Sequence, residues 1–164
     1  MMNEAQGAPL RKKLLVRVGV VMVGALALMQ LIPVDRSNPP VEARPAWDSP
    51  RTEELARRAC MDCHSNETRW PATARVAPAS WLIAYDVHEG RSAMNLSMAN
   101  PRHAQDAAEE LLEGEMPPAP YLLMHPEARL TEQERVDLAR GLQATFGGEA
   151  GFGRAAFGGE GDED

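Results

Sequence analysis

The sequence predicts an all-α fold, a helical domain preceded by one N-terminal transmembrane helix. Three observations predict it. Helix-starting residues (Ser, Asn, Thr) recur ahead of segments with the spacing of a helical face. Those segments end at glycines. No run alternates apolar and polar residues well enough to read as a strand.

The elements follow in chain order. Residues 1–13 are basic, with Arg11, Lys12 and Lys13, and are expected on the cytoplasmic side. Residues 14–32, "LLVRVGVVMVGALALMQLI", have the length of a bilayer span. Arg17 lies near the start, where its side chain can snorkel, and the apolar run is uninterrupted from Val18 to Leu28. The segment after it, "QLIPVDRSNPP", has no small-x-small cleavage site, so an uncleaved anchor is expected rather than a signal peptide. The expected location is a bacterial inner membrane, crossed once, with the C-terminal domain in the periplasm or outside the cell. Residues 33–47 are rich in proline and charge and read as an extended linker. Residues 147–164 are Gly-rich and acidic and read as a disordered tail.

Residues 48–146 form the expected domain. Ser49-Pro50 reads as N-cap and first helical residue of a helix carrying Leu55, Ala59 and Cys60. Ser80 opens "SWLIAYDVHEG", which stops at Gly90. Asn100-Pro101 opens a segment that stops at Gly114. Thr131 and Glu134 make a capping box, with Leu138, Leu142 and Phe146 on the face behind it. Four short helices joined by proline-bearing loops result. Aromatics make up only 5% of the chain, so a domain this small needs a staple or a cofactor. The net charge of -7 argues against nucleic acid as a partner.

The only cysteines, Cys60 and Cys63, stand in "CMDCH" with His64 next. Four readings compete. A disulfide over so short a loop removes little unfolded-state entropy. A redox dithiol normally follows a strand, and none precedes this one. Structural zinc wants a second ligand cluster, which the sequence lacks. The fourth reading is one covalent haem c: residues three apart on a helix share a face, so two thiols can add to the vinyl groups of one porphyrin edge, with His64 beneath the iron. The order of the residues favours this fourth reading. A porphyrin would also supply the apolar surface that the aromatics do not.

"CMDCHSNETRWP", "APASWLIAYDVHEGR" and "EELLEGEMPPAPYLLMHPEARLTEQE" together resemble the haem-binding domain family, single-haem relatives of cytochrome c. The resemblance covers about residues 55–144. It implies a cytochrome c-like helical domain around one haem, with His64 as proximal and Met116 as distal iron ligand. Met94, Met98, Met124, His88, His103 and His125 are the other candidates for the distal position. Met116 stands apart because Pro117 and Pro118 stiffen the chain after it, which helps a weak ligand. Pro78 resembles the place where cytochromes c supply a carbonyl to the proximal histidine. Trp81, Tyr85, Arg91 and Asn95 are candidates for the haem edge, Arg91 for a propionate.

The function expected is one-electron transfer with redox partner proteins, by a carrier rather than an enzyme. Two readings stand beside it, a haem-based sensor of small ligands and a peroxidase-like enzyme with His103 or Glu115 as acid–base group. Both require Met116 to leave the iron.

Overall fold

The structure, a computed structural model, describes residues 7–147. The acidic tail expected to be disordered lies outside them from residue 148 on. Among the described residues the fold is all-helical, with seven α-helices and two short 3-10 helices. The α-helices are α1 (Gly7–Met29), α2 (Pro50–Ala59), α3 (Met61–His64), α4 (Ala79–Ala93), α5 (Ala107–Glu113), α6 (Ala119–Met124) and α7 (Glu132–Phe146).

The expected membrane span is not found. Among the described residues, no helix is long and apolar enough to cross a membrane. The helix α1 exists, but Arg11, Lys12, Lys13 and Arg17 lie within it. Its charge-free part, from Val18 to Met29, falls well short of the roughly 20 apolar residues that a bilayer core demands. The single-pass inner-membrane location and attachment through this helix are corrected accordingly.

The chain divides into two compact units. The first contains residues 1–37 and 70–86. Within it the Gln30 side chain binds the backbone of Ala77 at both ends: Nε2 donates to the Ala77 carbonyl at 3.3 Å and Oε1 accepts from its N–H at 3.0 Å. Arg36 Nη1 donates to the Ala74 carbonyl. Ala74, Ala77 and Ala84 are buried.

The second unit contains residues 38–69 and 87–164. Its main core joins α2, α5 and α7 through Leu55, Ala59, Leu111, Leu138 and Leu142. A smaller cluster holds Met61, Met94, Leu96 and Ala104. Two helix starts follow the sequence. Ser49 caps α2, its Oγ accepting from Thr52 N–H at 3.2 Å, with Pro50 as first helical residue. Thr131 and Glu134 form the full capping box of α7. Gly141 on α7 faces Thr52 on α2 so closely that a Cβ would overlap the threonine side chain, which lets the two helices meet.

Other boundaries differ. Ser80 lies within α4, which starts at Ala79, and the helix runs past Gly90 to Ala93. The segment after Asn100-Pro101 is a series of turns, and α5 starts only at Ala107 with Asp106 as N-cap. The reason is His103, at φ 54°, in the left-handed region that a right-handed helix cannot include. Residues 38–43 have no regular secondary structure, but they are hydrogen-bonded along the unit. Asn38 Nδ2 donates to the Thr68 carbonyl, Asn66 Nδ2 to the Pro40 carbonyl, and the Glu42 and Ala43 N–H groups to the Ser97 carbonyl.

Candidate functional site

The site is a sharp turn in the chain. Helix α2 ends at Ala59, and Cys60 (φ -120°, ψ -40°) serves both as its C-cap and as N-cap of α3. The four residues of α3 carry Cys63 and His64. The Cys63 and His64 N–H groups both reach the Cys60 carbonyl, at 3.2 and 2.9 Å. This compact turn keeps both cysteines and the histidine together. Neither cysteine is in a disulfide. Burial pushes the Cys60 thiol up to about 12, with Cys63 adding to the shift, so it stays protonated at neutral pH.

The His64 ring is held by the backbone. Its Nδ1 lies 3.1 Å from the Met94 carbonyl. A carbonyl only accepts, so Nδ1 carries the hydrogen and the lone pair is left on Nε2. Burial lowers the His64 pKa, while the carbonyls of Met94 and Gly90 raise it, and the net shift is downward. The imidazole is therefore neutral at pH 7, the form that binds a metal. The backbone on the same side is also fixed, since Leu96 N–H donates to the His64 carbonyl at 2.8 Å. In the first unit the Pro78 carbonyl accepts from Trp81 N–H at 3.1 Å. The carbonyl that holds His64 is thus Met94's, where the resemblance pointed to Pro78.

Gly90 explains how α4 reaches the turn. A Cβ there would lie 2.7 Å from the Cys63 carbonyl oxygen and 3.0 Å from the Cys63 Cβ. No real side chain fits at that spacing, so glycine is needed for the close approach. Its role is contact rather than helix termination.

Around the turn lies a polar scaffold. Arg91 Nε donates to the Ser65 carbonyl at 2.8 Å, and its Nη2 to Asn38 Oδ1 and Thr68 Oγ1, both at 2.8 Å. The guanidinium suggested for a propionate is engaged with the loop after His64. Asn95, also suggested for the haem edge, donates from Nδ2 to Asn66 Oδ1 and accepts from Ser97 N–H. Asn66 N–H in turn donates to Ser97 Oγ. Tyr85 is exposed. Trp81, within the first unit, has a buried indole N–H with no acceptor among the described residues.

The distal candidates separate by environment. Met94 is buried in the smaller apolar cluster and serves the core. Met98 lines a hollow of about 360 Å³ with Arg44, Asn100 and Phe146. Met124 is 67% exposed rather than packed in the core. His88 is exposed. His103 is exposed and pairs with Asp106. His125 stacks on Tyr121 at 4.1 Å, and its Nδ1 lies 3.2 Å from Glu127 Oε1. Met116 follows the Gly114 turn, where the chain leaves α5 at φ 82° as expected, and is 40% exposed. The Glu115 and Met116 N–H groups both reach the Glu110 carbonyl, at 3.1 and 3.2 Å. Pro118 is extended (φ -66°, ψ 144°).

Two site residues escaped the sequence reading, Asp62 and Tyr121. Asp62, a spacer between the cysteines, is buried and accepts from Arg69 N–H (3.1 Å), Nε (3.1 Å) and Nη2 (2.9 Å). Tyr121 Oη donates at 3.0 Å to Oδ2, the oxygen that also accepts from Arg69 Nη2. Burial works against the carboxylate, but the Arg69 and Tyr121 donors outweigh it and hold the Asp62 pKa below its ordinary value. Burial, then Asp62, pushes the Tyr121 phenol well up. An acid placed between two cysteines and followed seven residues later by an arginine was the available signal.

Fold and site together define an all-helical protein organised around a Cys-x-x-Cys-His turn whose histidine presents a free ring nitrogen. The model of the haem-binding domain family matches residues 24–144, and the chain belongs to that family. No curated protein and no solved structure matches the chain. Among the described residues no group of three or more His, Cys, Asp and Glu is placed to hold a metal ion. The donors at the turn instead fit a haem, which brings its own four equatorial nitrogens and asks the protein only for axial ligands.

Proposed function

We propose that this is a c-type electron carrier holding one covalent haem. The observation that carries the reading is the turn itself, in which the Cys63 and His64 N–H groups meet the Cys60 carbonyl and so bring two cysteines outside any disulfide together with a neutral histidine. Cys60 and Cys63 hold the porphyrin through thioether bonds, and His64 Nε2 is the proximal ligand. Met116 is the distal ligand, carried on a strap between α5 and α6. When bound, haem supplies an iron that changes between the ferrous and ferric states. The chain's own residues do the rest. The Met94 carbonyl orients the His64 ring and strengthens its donor nitrogen. Arg91, Asn66 and Asn95 keep the loop after the turn in place. The buried indole N–H of Trp81 is a donor suited to a carboxylate, and its proposed contact with the cofactor rests on that; Pro78 and Arg91 are weaker candidates for such contacts, since Pro78 O and the Arg91 guanidinium are already engaged. With two protein ligands on the iron, outer-sphere exchange with redox partner proteins is the reaction the site supports, and a His/Met pair raises the potential relative to two histidines.

Acid–acetone extraction tests covalent attachment. The colour should stay with the protein. Haem released wholly into the solvent would rule out thioether bonds, and with them the carrier proposed here.

A further inference from the structure

We propose that Asp62 and Tyr121 form a positioning pair that seats the Met116 strap on the cysteine–histidine turn, and that iron–sulfur ligation depends on this pair. The inference rests on the reading of Met116 as distal ligand.

The upstream end of the strap is well held. Helix α5 buries Ala108 and Leu111, and its Glu110 carbonyl takes the N–H groups of Glu115 and Met116. The downstream end is different. Helix α6 buries none of its residues, and Leu123 and Met124 are 75% and 67% exposed. Tyr121 and Leu122 are only half-buried, so polar contacts help to hold α6: Arg129 Nε donates to the Leu122 carbonyl at 3.1 Å, and Tyr121 Oη donates to Asp62 Oδ2 at 3.0 Å, a bond between residues 59 apart in sequence that ties the helix to the turn. Asp62 is a suitable fixed point. It belongs to α3, between Cys60 and Cys63, and its carboxylate is already oriented by three donors from Arg69. Tyr121 is oriented too, by stacking on His125 with the rings 19° from parallel. Met116 stands five residues before Tyr121, so at about 3.5 Å per residue its Cα is tethered within roughly 18 Å of the tyrosine Cα. A thioether is a weak ligand, and a weak ligand gains most when its carrier is already in place.

The test uses the full-length ferric holoprotein, with imidazole as a competitor for the distal position. The readout is the near-infrared band of sulfur-to-iron charge transfer. Tyr121→Phe keeps the ring and its stacking but removes the donor. It should retain covalent haem and helical content, show the band, and lose it at about tenfold lower imidazole than the wild type. Asp62→Asn, which keeps an acceptor oxygen without the charge, should shift in the same direction by less, and it decides the matter if Tyr121→Phe does not fold. Displacement at the wild-type imidazole concentration overturns the pair, even if the variant is less stable to urea. A wild type without the band removes Met116 as ligand, and this inference with it. A wild type that keeps the band while the variants do not differ removes the pair alone.

Discussion

The Nδ1 atom of His64 faces the main-chain carbonyl of Met94 at 3.1 Å, so the imidazole ring is steered by backbone that no side-chain substitution deletes. Met94 thus has two separable parts, a carbonyl serving the histidine and a side chain, 8% exposed, serving the core. Met94→Ala should lower stability by about 2–5 kcal/mol, as for other buried Met→Ala changes. The visible spectrum of the holoprotein should be unchanged. Urea unfolding and an optical spectrum measure the two effects, and loss of the near-infrared band in this variant would mean that its sulfur had been the ligand.

Gly90→Ala should be costly although alanine favours helices. The added methyl group meets the backbone of Cys63, which cannot rotate away as a side-chain tip would. Overpacking of this kind costs about 1–3 kcal/mol. Under the proposed function less haem should also be incorporated, since the strain falls on the Cys60–His64 turn. Thermal unfolding and the haem-to-protein absorbance ratio measure both. A stabilised variant would mean that α4 shifts freely against the turn.

Met116→Ala should abolish the near-infrared band, lower the reduction potential and open the ferrous iron to carbon monoxide. Replacing Met98 or Met124 should leave the band in place. If the wild type lacks the band and His125→Ala changes the spectrum instead, the axial pair is bis-histidine. A five-coordinate wild type would favour ligand sensing or peroxide chemistry over electron transfer.

Glu134 gives a pH dependence with a defined sign. Thr131 N–H, then Arg58, hold its pKa down from 4.5 to about 2. A depressed carboxylate contributes stability that is fully present above its unfolded value and is lost as pH falls through its folded one. The capping box and its ion pair should therefore support α7 fully above about pH 4.5 and weaken progressively towards pH 2. Glu134→Gln should be less stable than the wild type at pH 7, with the gap closing in acid. A gap that stays constant from pH 7 to pH 2 would assign the effect to shape rather than charge.

Features carried by local chemistry were legible in the sequence. The Ser49 cap, the Thr131–Glu134 box and the left-handed exit at Gly114 each depend on a few adjacent residues, and each is present. The close grouping of Cys60, Cys63 and His64 in one turn is local in the same way. What depends on distant partners was not. Nothing near Gly90 tells a helix-ending glycine from one that lets a turn approach, because the deciding atom belongs to Cys63. Met94 reads as a possible sulfur ligand because a sequence displays side chains and conceals carbonyls. The α5 start was misplaced because a left-handed histidine has no strong local mark. The span fails on a count: Arg17, together with Arg11, Lys12 and Lys13, leaves too little apolar length in α1.

The stretch from Asn38 to Ala43 alters where the second unit should be cut. A protease trimming the chain from its N-terminal side should slow near Asn38 rather than near Asp48, because the Asn38 side chain is held by the Thr68 carbonyl and the main chain at Pro40, Glu42 and Ala43 is held by Asn66 and Ser97. A fragment beginning at Asp48 would leave the Ser97 carbonyl and the Asn66 amide without those partners. It would also strip Trp47 from its edge-on contact with Phe146, whose ring centroid lies 5.8 Å away. The residues that look like a dispensable spacer are thus the outer wall of the loop that follows His64, and the minimal self-sufficient piece includes them.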